Sequence, residues 1–214
     1  MLLDARDFRE DYRRDQLLME QTAADPFEQF AHWFEDAKQA DITEPNAMTL
    51  ATISAAGRPK ARIVLLKQVL AEGFVFYTNY NSQKGQDLAA NPVASLVFFW
   101  DALQRQVRIE GSVTKASSQT STDYFHARPK GSQIGAAASP QSSVITGREV
   151  LEENVTTLEN QYADANQLPR PDHWGGYVLT PDVFEFWQGR SSRLHDRIRY
   201  RHDGQDWIRE RLAP

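Results

Sequence analysis

The alternation of apolar and polar residues predicts a strand-rich middle flanked by helices. A first helix is predicted over 26–40, because Phe27, Phe30 and Phe34 recur at helical spacing behind Pro26. Short runs rich in β-branched and aromatic residues predict strands at 48–54, 62–67, 74–79, 94–100, 104–114, 176–180, 183–188, 193–200 and 206–211. Two further helices are predicted at 118–127 and 149–163.

Successive strands joined by short turns form a meander, which suggests a barrel. We therefore predict an α+β fold that is mainly an antiparallel β barrel with flanking helices. Because neither a linker nor an internal repeat interrupts the chain, we predict a single domain over 1–214. The charged segment 1–20 is predicted to be helical or mobile.

Composition limits the possible function classes. With 214 residues, 41% of them hydrophobic, the chain can bury a proper core, and no apolar run reaches the ~18 to 20 residues that span a bilayer. A cytoplasmic protein without membrane contact is therefore expected. The absence of cysteine excludes disulfides and thiolate chemistry, and the scattered histidines predict no metal site. The net charge of -5 argues against nucleic-acid binding.

The segment 186–197 carries the strongest signal, because an aromatic stretch around Trp187 is followed closely by Arg193, His195 and Arg197. In a strand, the period of two places Arg193, His195 and Arg197 on one face. Two guanidinium groups are costly to bury unless anions or aromatic faces compensate, so such a face predicts a site for an anionic, aromatic ligand. A solvated edge strand is the alternative.

Two upstream stretches add cations. Arg62 and Lys67 bracket an apolar strand, and in a regular strand they leave by opposite faces, where they can serve two different anions. Ser82 is positioned to cap a helix whose first turn carries Lys84, so this helix start offers N–H groups and an ammonium group to a phosphate. Taken alone, each stretch also fits an ordinary strand or a capped surface helix.

In order along the chain, these stretches resemble the pyridoxine (pyridoxamine) 5'-phosphate oxidase family. The resemblance extends from about Arg9 to the C-terminus, with motifs at 62–67, 76–79, 133–136, 186–189 and 193–197. It implies an FMN-binding split barrel and a homodimer with FMN at the subunit interface. The implied reaction of vitamin B6 metabolism oxidises pyridoxine 5'-phosphate or pyridoxamine 5'-phosphate to pyridoxal 5'-phosphate. A hydride passes from C4' to flavin N5, and O2 reoxidises the flavin to give H2O2.

The resemblance also implies the residues of the site. FMN would contact Arg62, Ile63, Val64, Leu65, Leu66, Lys67, Tyr77, Thr78, Gln83, Lys84, Gln106, Gln141, Ser142, Trp187 and Arg197. The substrate would contact Arg9, Glu10, Asp11, Tyr12, Lys67, Tyr124, Arg128, Ser132, Arg193, Leu194 and His195. Arg193, His195 and Arg197 would be catalytic, with His195 either accepting a proton or orienting the substrate. The segment 9–12 would form a lid, or else a disordered tail.

One position departs from the family pattern. Many members carry Arg or Lys before the phosphate-binding lysine, whereas this chain has Gln83, which donates a hydrogen bond without a charge. We therefore expect weaker FMN retention. Two other functions stay open, namely a split-barrel FMN reductase with a different substrate and a carrier of FMN or pyridoxal phosphate. The second phosphate-binding set, which includes Lys67 and Arg128, argues against the reductase.

Overall fold

The structure is a computed structural model and describes residues 11–12 and 15–214. Its helices are α1 Pro26–Gln39, α2 Gln83–Ala90, α3 Ser118–Ala127, α4 Lys130–Ala138 and α5 Glu149–Gln161. Its strands are β1 Ala47–Ile53, β2 Pro59–Leu65, β3 Gln68–Leu70, β4 Gly73–Asn79, β5 Val93–Trp100, β6 Arg105–Lys115, β7 Trp174–Gln188, β8 Asp196–His202 and β9 Trp207–Leu212. No helix within this part of the chain is both long and apolar enough to cross a membrane.

The strands form one sheet with the order β2-β1-β5-β6-β7-β4-β3, while β8 pairs with β7 and β9 pairs with β8. Antiparallel pairing joins β4 to β7, β7 to β8 and β8 to β9. This antiparallel sheet with flanking helices confirms the predicted α+β class.

The chain forms two compact units. The first contains the described residues up to Thr49 together with Leu96–Glu110 and Asp182–Pro214. The second contains Leu50–Ser95 and Gly111–Pro181.

An aromatic core holds the first unit together. Helix α1 begins as predicted, with Pro26 in its first turn and the Asp25 carboxylate accepting from the Phe27 N–H at 2.8 Å. Its buried side of Phe30 and Trp33 packs against the sheet, and the Trp33 ring meets Phe186 edge-on at 5.2 Å. The apolar spacing that predicted this helix therefore corresponds to its buried face.

The second unit has a core between strand β4 and the helices. Strand β4 is buried along almost its whole length, and it ends at Asn79, just before the cap of α2. The Ser82 hydroxyl accepts from the Gly85 N–H at 3.4 Å, which confirms Ser82 as the cap. Phe125 of α3 and Ile134 of α4 pack in a second buried cluster beside this strand.

Four elements differ from the prediction. The two strands expected at 176–180 and 183–188 are one continuous strand, β7, while β3 and α4 were not predicted. The strand expected at 193–200 begins only at Asp196, because Ser192 and Arg193 have left-handed backbone angles, with φ of 57° and 61°. Arg193 therefore lies in a 3₁₀ turn, and the predicted alternation through Arg193, His195 and Arg197 is wrong.

Candidate active site

The second unit contains a cleft of about 920 Å³, here called the cationic cleft. Thirteen of the residues predicted to bind FMN or substrate line it, namely Arg62, Ile63, Val64, Leu65, Lys67, Tyr77, Thr78, Lys84, Tyr124, Arg128, Ser132, Gln141 and Ser142. The unpredicted lining residues include Asn79, Ser139 and Trp174. Stretches far apart in sequence thus meet in one cavity.

Arg62 and Lys67 both line this cleft although they were expected on opposite faces of one strand. Strand β2 ends at Leu65, and beyond it the Lys67 N–H donates to the Val75 carbonyl at 2.9 Å. The alternation rule therefore does not extend to Lys67, and the prediction of opposite faces is wrong for this pair. Two cations that were expected to be separate share one cavity.

Arg62 and Lys84 bring positive charge to one part of the cleft. The Arg62 Nη1 donates to the Thr52 hydroxyl at 2.6 Å, and its Nη2 lies 3.5 Å from the Asp87 carboxylate. The Lys84 Nζ donates to two neutral oxygens, Thr78 Oγ1 at 3.3 Å and Gln141 Oε1 at 3.2 Å. Burial, and then the charge of Arg62, lower the pKa of the Lys84 ammonium. An anion placed here would relieve both effects.

Arg128 provides a second cationic point. It is the cap residue after α3, with the extended backbone angles that the following Pro129 favours. Although it stands four residues after Tyr124, it therefore does not share a helix face with that residue. Its guanidinium lies 4.9 Å from the centre of the Trp174 ring. The Nη1 atom is buried and has no hydrogen-bond partner among the described residues. A buried, unpaired guanidinium nitrogen is costly unless a ligand accepts from it.

Three stacked rings form a wall of the cleft. Tyr77 and Tyr124 lie 3.9 Å apart with an interplanar angle of 18°, and Trp174 stacks on Tyr77 at 5.5 Å. Burial raises the pKa of Tyr77 to about 12, so its hydroxyl stays protonated near neutral pH. The wall offers a flat apolar surface and neutral hydroxyls beside the cations.

In the first unit, Tyr12, Trp187 and His195 form an aromatic cluster. The Trp187 ring lies 4.6 Å from the imidazole, and Tyr12 lies 5.9 Å from each of them. Gly189 makes room for Tyr12, because an added Cβ would lie 2.7 Å from the Tyr12 ring. The N-terminal segment is held here by a further bond, in which the Ser192 N–H donates to the Asp11 carboxylate at 3.3 Å.

The Arg197 guanidinium is part of an ion pair. Its Nε and Nη2 donate to the two carboxylate oxygens of Glu185, each at 3.0 Å, and its Nη1 donates to the Ala213 carbonyl at 2.8 Å. Glu185 is buried, with 8% of its side chain exposed. The bond to Glu185 raises the pKa of Arg197. All three guanidinium nitrogens therefore have partners within the first unit.

The remaining predicted residues lie outside these groups or at their edges. Gln83 is exposed and donates to the Asp87 carboxylate at 2.9 Å, and Leu66 is buried. Gln106 is half-buried on β6, while Arg193 and Leu194 are exposed in the turn before β8. Arg9 and Glu10 lie outside the described residues.

Sequence reasoning missed two carboxylates that organise the arginines. Asp87 accepts from Thr52 at 2.8 Å and faces Arg62, while Glu185 binds Arg197. Glu185 had a visible signal, because it stands between Phe184 and Phe186 in an apolar strand, where a buried carboxylate needs a cation.

Comparisons with known proteins indicate one family along most of the chain. A family model described as pyridoxamine 5'-phosphate oxidase matches residues 34–162. A second model, described as pyridoxine 5'-phosphate oxidase C-terminal dimerisation region, matches residues 174–214. A Salinibacter ruber protein named pyridoxine/pyridoxamine 5'-phosphate oxidase is 55% identical over 97% of this chain and 98% of its own length. A Bordetella avium protein of the same name is 58% identical with the same coverage of both chains.

Solved structures share the fold. PhzG from Burkholderia lata 383, in complex with tetrahydrophenazine-1-carboxylic acid, has a TM-score of 0.87 at 31% identity, covering 94% of this chain and 98% of its own. A pyridoxamine 5'-phosphate oxidase-related, FMN-binding protein from Nostoc punctiforme has a TM-score of 0.69 at 17% identity, covering 90% and 100%. The predicted split-barrel fold is therefore confirmed. The chain belongs to the pyridoxine/pyridoxamine 5'-phosphate oxidase family and is an enzyme of that type.

Proposed function

We propose that the protein oxidises pyridoxine 5'-phosphate or pyridoxamine 5'-phosphate to pyridoxal 5'-phosphate, as a cytoplasmic homodimer with FMN at the subunit interface. The names of the relatives and of the matched dimerisation region support this proposal. When bound, FMN supplies the hydride acceptor, its N5, for the hydrogen on substrate C4', and returns the electrons to O2, which becomes H2O2.

The cationic cleft fits an FMN phosphate. Arg62 and Lys84 are proposed to bind its oxygens, with Thr78, Gln141 and Ser142 adding hydrogen bonds. The lowered pKa of Lys84 supports this assignment, because the ammonium group has only neutral acceptors in the described structure. The other proposed FMN contacts are Ile63, Val64, Leu65, Leu66, Lys67, Tyr77, Gln106, Trp187 and Arg197. Gln83 acts through Asp87, to which it donates.

The observation that carries the proposal is the unpaired Nη1 of Arg128. A second phosphate, that of the substrate, would accept a hydrogen bond from it and remove the cost of burying it alone. Lys67, Tyr124 and Ser132 line the same cleft and are proposed to bind the same phosphate. A flavin reductase with the same barrel fold does not need this second set of phosphate-binding residues. The presence of the set therefore favours the proposed oxidase over a reductase.

The first-unit residues are proposed to orient the substrate ring. Arg193, Leu194 and His195 would contact it, and the segment 9–12 would close over it as part of a lid formed by 1–20. The packing of Tyr12 on Gly189 supports this role for the segment. Correct orientation of reacting groups can contribute about 7 to 11 kcal/mol to the barrier reduction. We propose that the whole chain, 1–214, acts as one FMN-binding domain.

Aerobic turnover tests the proposal. Purified protein with added FMN and pyridoxine 5'-phosphate should release pyridoxal 5'-phosphate and H2O2 in equal amounts. Pyridoxamine 5'-phosphate should give the same two products, with water consumed and ammonia released as the imine at C4' is hydrolysed. Bound flavin without aldehyde would refute the oxidase and favour the reductase or the carrier, whereas failure to bind FMN would refute the cofactor assignment.

A further inference from the structure

His195 is held by one directed contact with the main chain. The N–H of Arg190 lies 3.1 Å from the Nδ1 of the imidazole. A main-chain N–H only donates, so Nδ1 must offer its lone pair and carries no hydrogen. A neutral imidazole has a single N–H, which in this arrangement lies on Nε2.

The conformation of the loop 190–196 holds the N–H of Arg190 close to the imidazole. Ser192 and Arg193 adopt left-handed backbone angles, which are unfavourable for residues other than glycine and turn the chain back between Arg190 and His195. The ends of the loop are joined, because the Arg190 Nη1 lies 3.2 Å from the Asp196 carboxylate. The N–H of Arg190 is thus fixed with respect to the imidazole.

The surroundings of the imidazole disfavour its protonation. Trp187 from β7 and Tyr12 from the N-terminal segment pack beside it, with ring centres 4.6 Å and 5.9 Å from the imidazole. Burial first, and then the charge of Arg193, lower the pKa of His195. Protonation would also place a new N–H on Nδ1, directly against the N–H of Arg190.

The acidic group nearest in sequence does not offset this effect. Asp196 is engaged by two cations, since it pairs with Arg190 at 3.2 Å and with Arg211 at 2.8 Å. Its charge is therefore balanced by neighbours other than the imidazole. The geometry favours a neutral His195 whose Nε2–H has no hydrogen-bond partner among the described residues.

We propose that the N–H of Arg190 fixes His195 in the Nε2–H form, so that the imidazole donates a hydrogen bond to the bound substrate and does not accept a proton from it. The identity of that substrate rests on the proposed function. The partner must be an acceptor atom, such as the phenolic oxygen on the pyridine ring. Arg190 is then a positioning residue that acts through its main chain.

Nitrogen-15 NMR tests the protonation state without any turnover. In the ¹⁵N-labelled holoenzyme, long-range proton–nitrogen spectra distinguish the two neutral forms and the imidazolium, and a spectrum of the His195→Gln variant assigns the signal. The proposal predicts the Nε2–H form at neutral and mildly basic pH. An Nδ1–H form, or an imidazolium at neutral pH, would overturn it.

Two substitutions test the role in the reaction. The amide of Gln can place a donor near the position of Nε2, whereas the shorter Asn places one near Nδ1. We expect His195→Gln to lower kcat/KM by less than about tenfold, which corresponds to one weakened hydrogen bond, and His195→Asn to lower it considerably more. If both variants lost about 10²- to 10⁴-fold, as expected on loss of a general base, the donor role would be refuted.

Failure of this inference is distinguishable from failure of the proposed function. Absence of turnover in the wild-type protein would contradict the proposed function, while the NMR result would still decide the protonation state. Normal turnover with an Nδ1–H signal would overturn only the inference about His195.

Discussion

Arginine and lysine side chains are arranged differently in the two units. In the first unit, Arg105, Arg197 and Arg211 each have a carboxylate oxygen within 3.0 Å. In the cationic cleft of the second unit, Lys84 and Arg128 form no ion pair with any described residue. The charge of these three arginines is balanced within the fold, while that of Lys84 and Arg128 is available to a ligand.

This difference shows that an arginine-rich stretch of sequence is not necessarily an anion-binding site. The C-terminal stretch is the most arginine-rich part of the chain, yet its side chains mainly join strands to one another and to acidic neighbours. The cleft has fewer cations, but two of them, Lys84 and Arg128, lack acidic partners among the described residues. Removing a cation should therefore reduce stability in the first unit and ligand affinity in the second.

The largest expected effect is on stability and comes from Arg197→Leu. Among the described residues, the substitution leaves the buried Glu185 with one cationic partner, Arg108, whose Nη1 is 3.5 Å away. We expect the free energy of unfolding to fall by about 3 kcal/mol, because removal of one partner from a buried pair leaves an uncompensated charge. Denaturant unfolding of the apoprotein measures the change.

A double variant controls for this effect. Replacing both partners, Glu185→Leu together with Arg197→Leu, removes the stranded charge and should recover most of the lost stability. If Arg197→Leu alone were as stable as the wild-type protein, the first-unit arginines would not have the structural role inferred here.

In the cleft, Lys84→Met should weaken FMN binding by about 10- to 100-fold, since one charge-assisted hydrogen bond contributes roughly 1.5 to 3 kcal/mol. Its stability as apoprotein should not fall, because Lys84 has no carboxylate partner in the described structure. Titration of the apoproteins with FMN gives the affinities. Arg199→Leu is the matched control, because Arg199 pairs with Glu210 in the first unit at 2.6 Å and should leave FMN affinity unchanged.

A smaller effect is expected from Gln83→Arg. A guanidinium at this position would compete for the Asp87 carboxylate, which now accepts from Gln83 at 2.9 Å and faces Arg62 at 3.5 Å. Arg62 would then be freer to bind a phosphate, and FMN affinity should rise by about two- to fivefold. Fluorescence titration with FMN measures it, with Gln83→Met as an uncharged control. An unchanged affinity would mean that Gln83 does not limit FMN retention.

The smallest expected effect is a pH dependence from Lys84. Because its pKa is lowered in the fold, the folded apoprotein binds fewer protons there than the unfolded chain, between the lowered pKa and the ordinary lysine value of 10.5. The contribution of Lys84 to the unfolding free energy should therefore rise with pH across that window. Alkaline unfolding curves of wild type and Lys84→Met test this, and parallel pH profiles would contradict it.

Much of the fold followed from local sequence signals. Helix α1 was predicted because its proline and its apolar spacing lie within one segment. The strand expected at 193–200 was placed wrongly because its start depends on distant residues. Asp11 accepts from the N–H of Ser192, and Arg190 pairs with Asp196 across the turn. Such contacts cannot be derived from the period of a short segment.

For a similar reason, the cations of the site were predicted, but some of their relative positions and partners were not. Motifs identified the cations of the cleft, because charged residues at strand ends and helix starts are visible in sequence. The opposite faces expected for Arg62 and Lys67 were wrong, since β2 ends between them. The Glu185 partner of Arg197 was missed because pairing across β7 and β8 depends on strand register.

The most direct test of the central claim is a thermodynamic cycle on Arg128. Calorimetry should measure the affinity of the FMN-loaded enzyme for pyridoxal 5'-phosphate and for pyridoxal, in wild type and in Arg128→Leu. If the unpaired Nη1 of Arg128 binds the ligand phosphate, wild type should bind pyridoxal much more weakly than pyridoxal 5'-phosphate. This loss of affinity should be at least tenfold larger in wild type than in Arg128→Leu. Equal losses in both proteins would show that Arg128 does not bind the phosphate and would contradict the account.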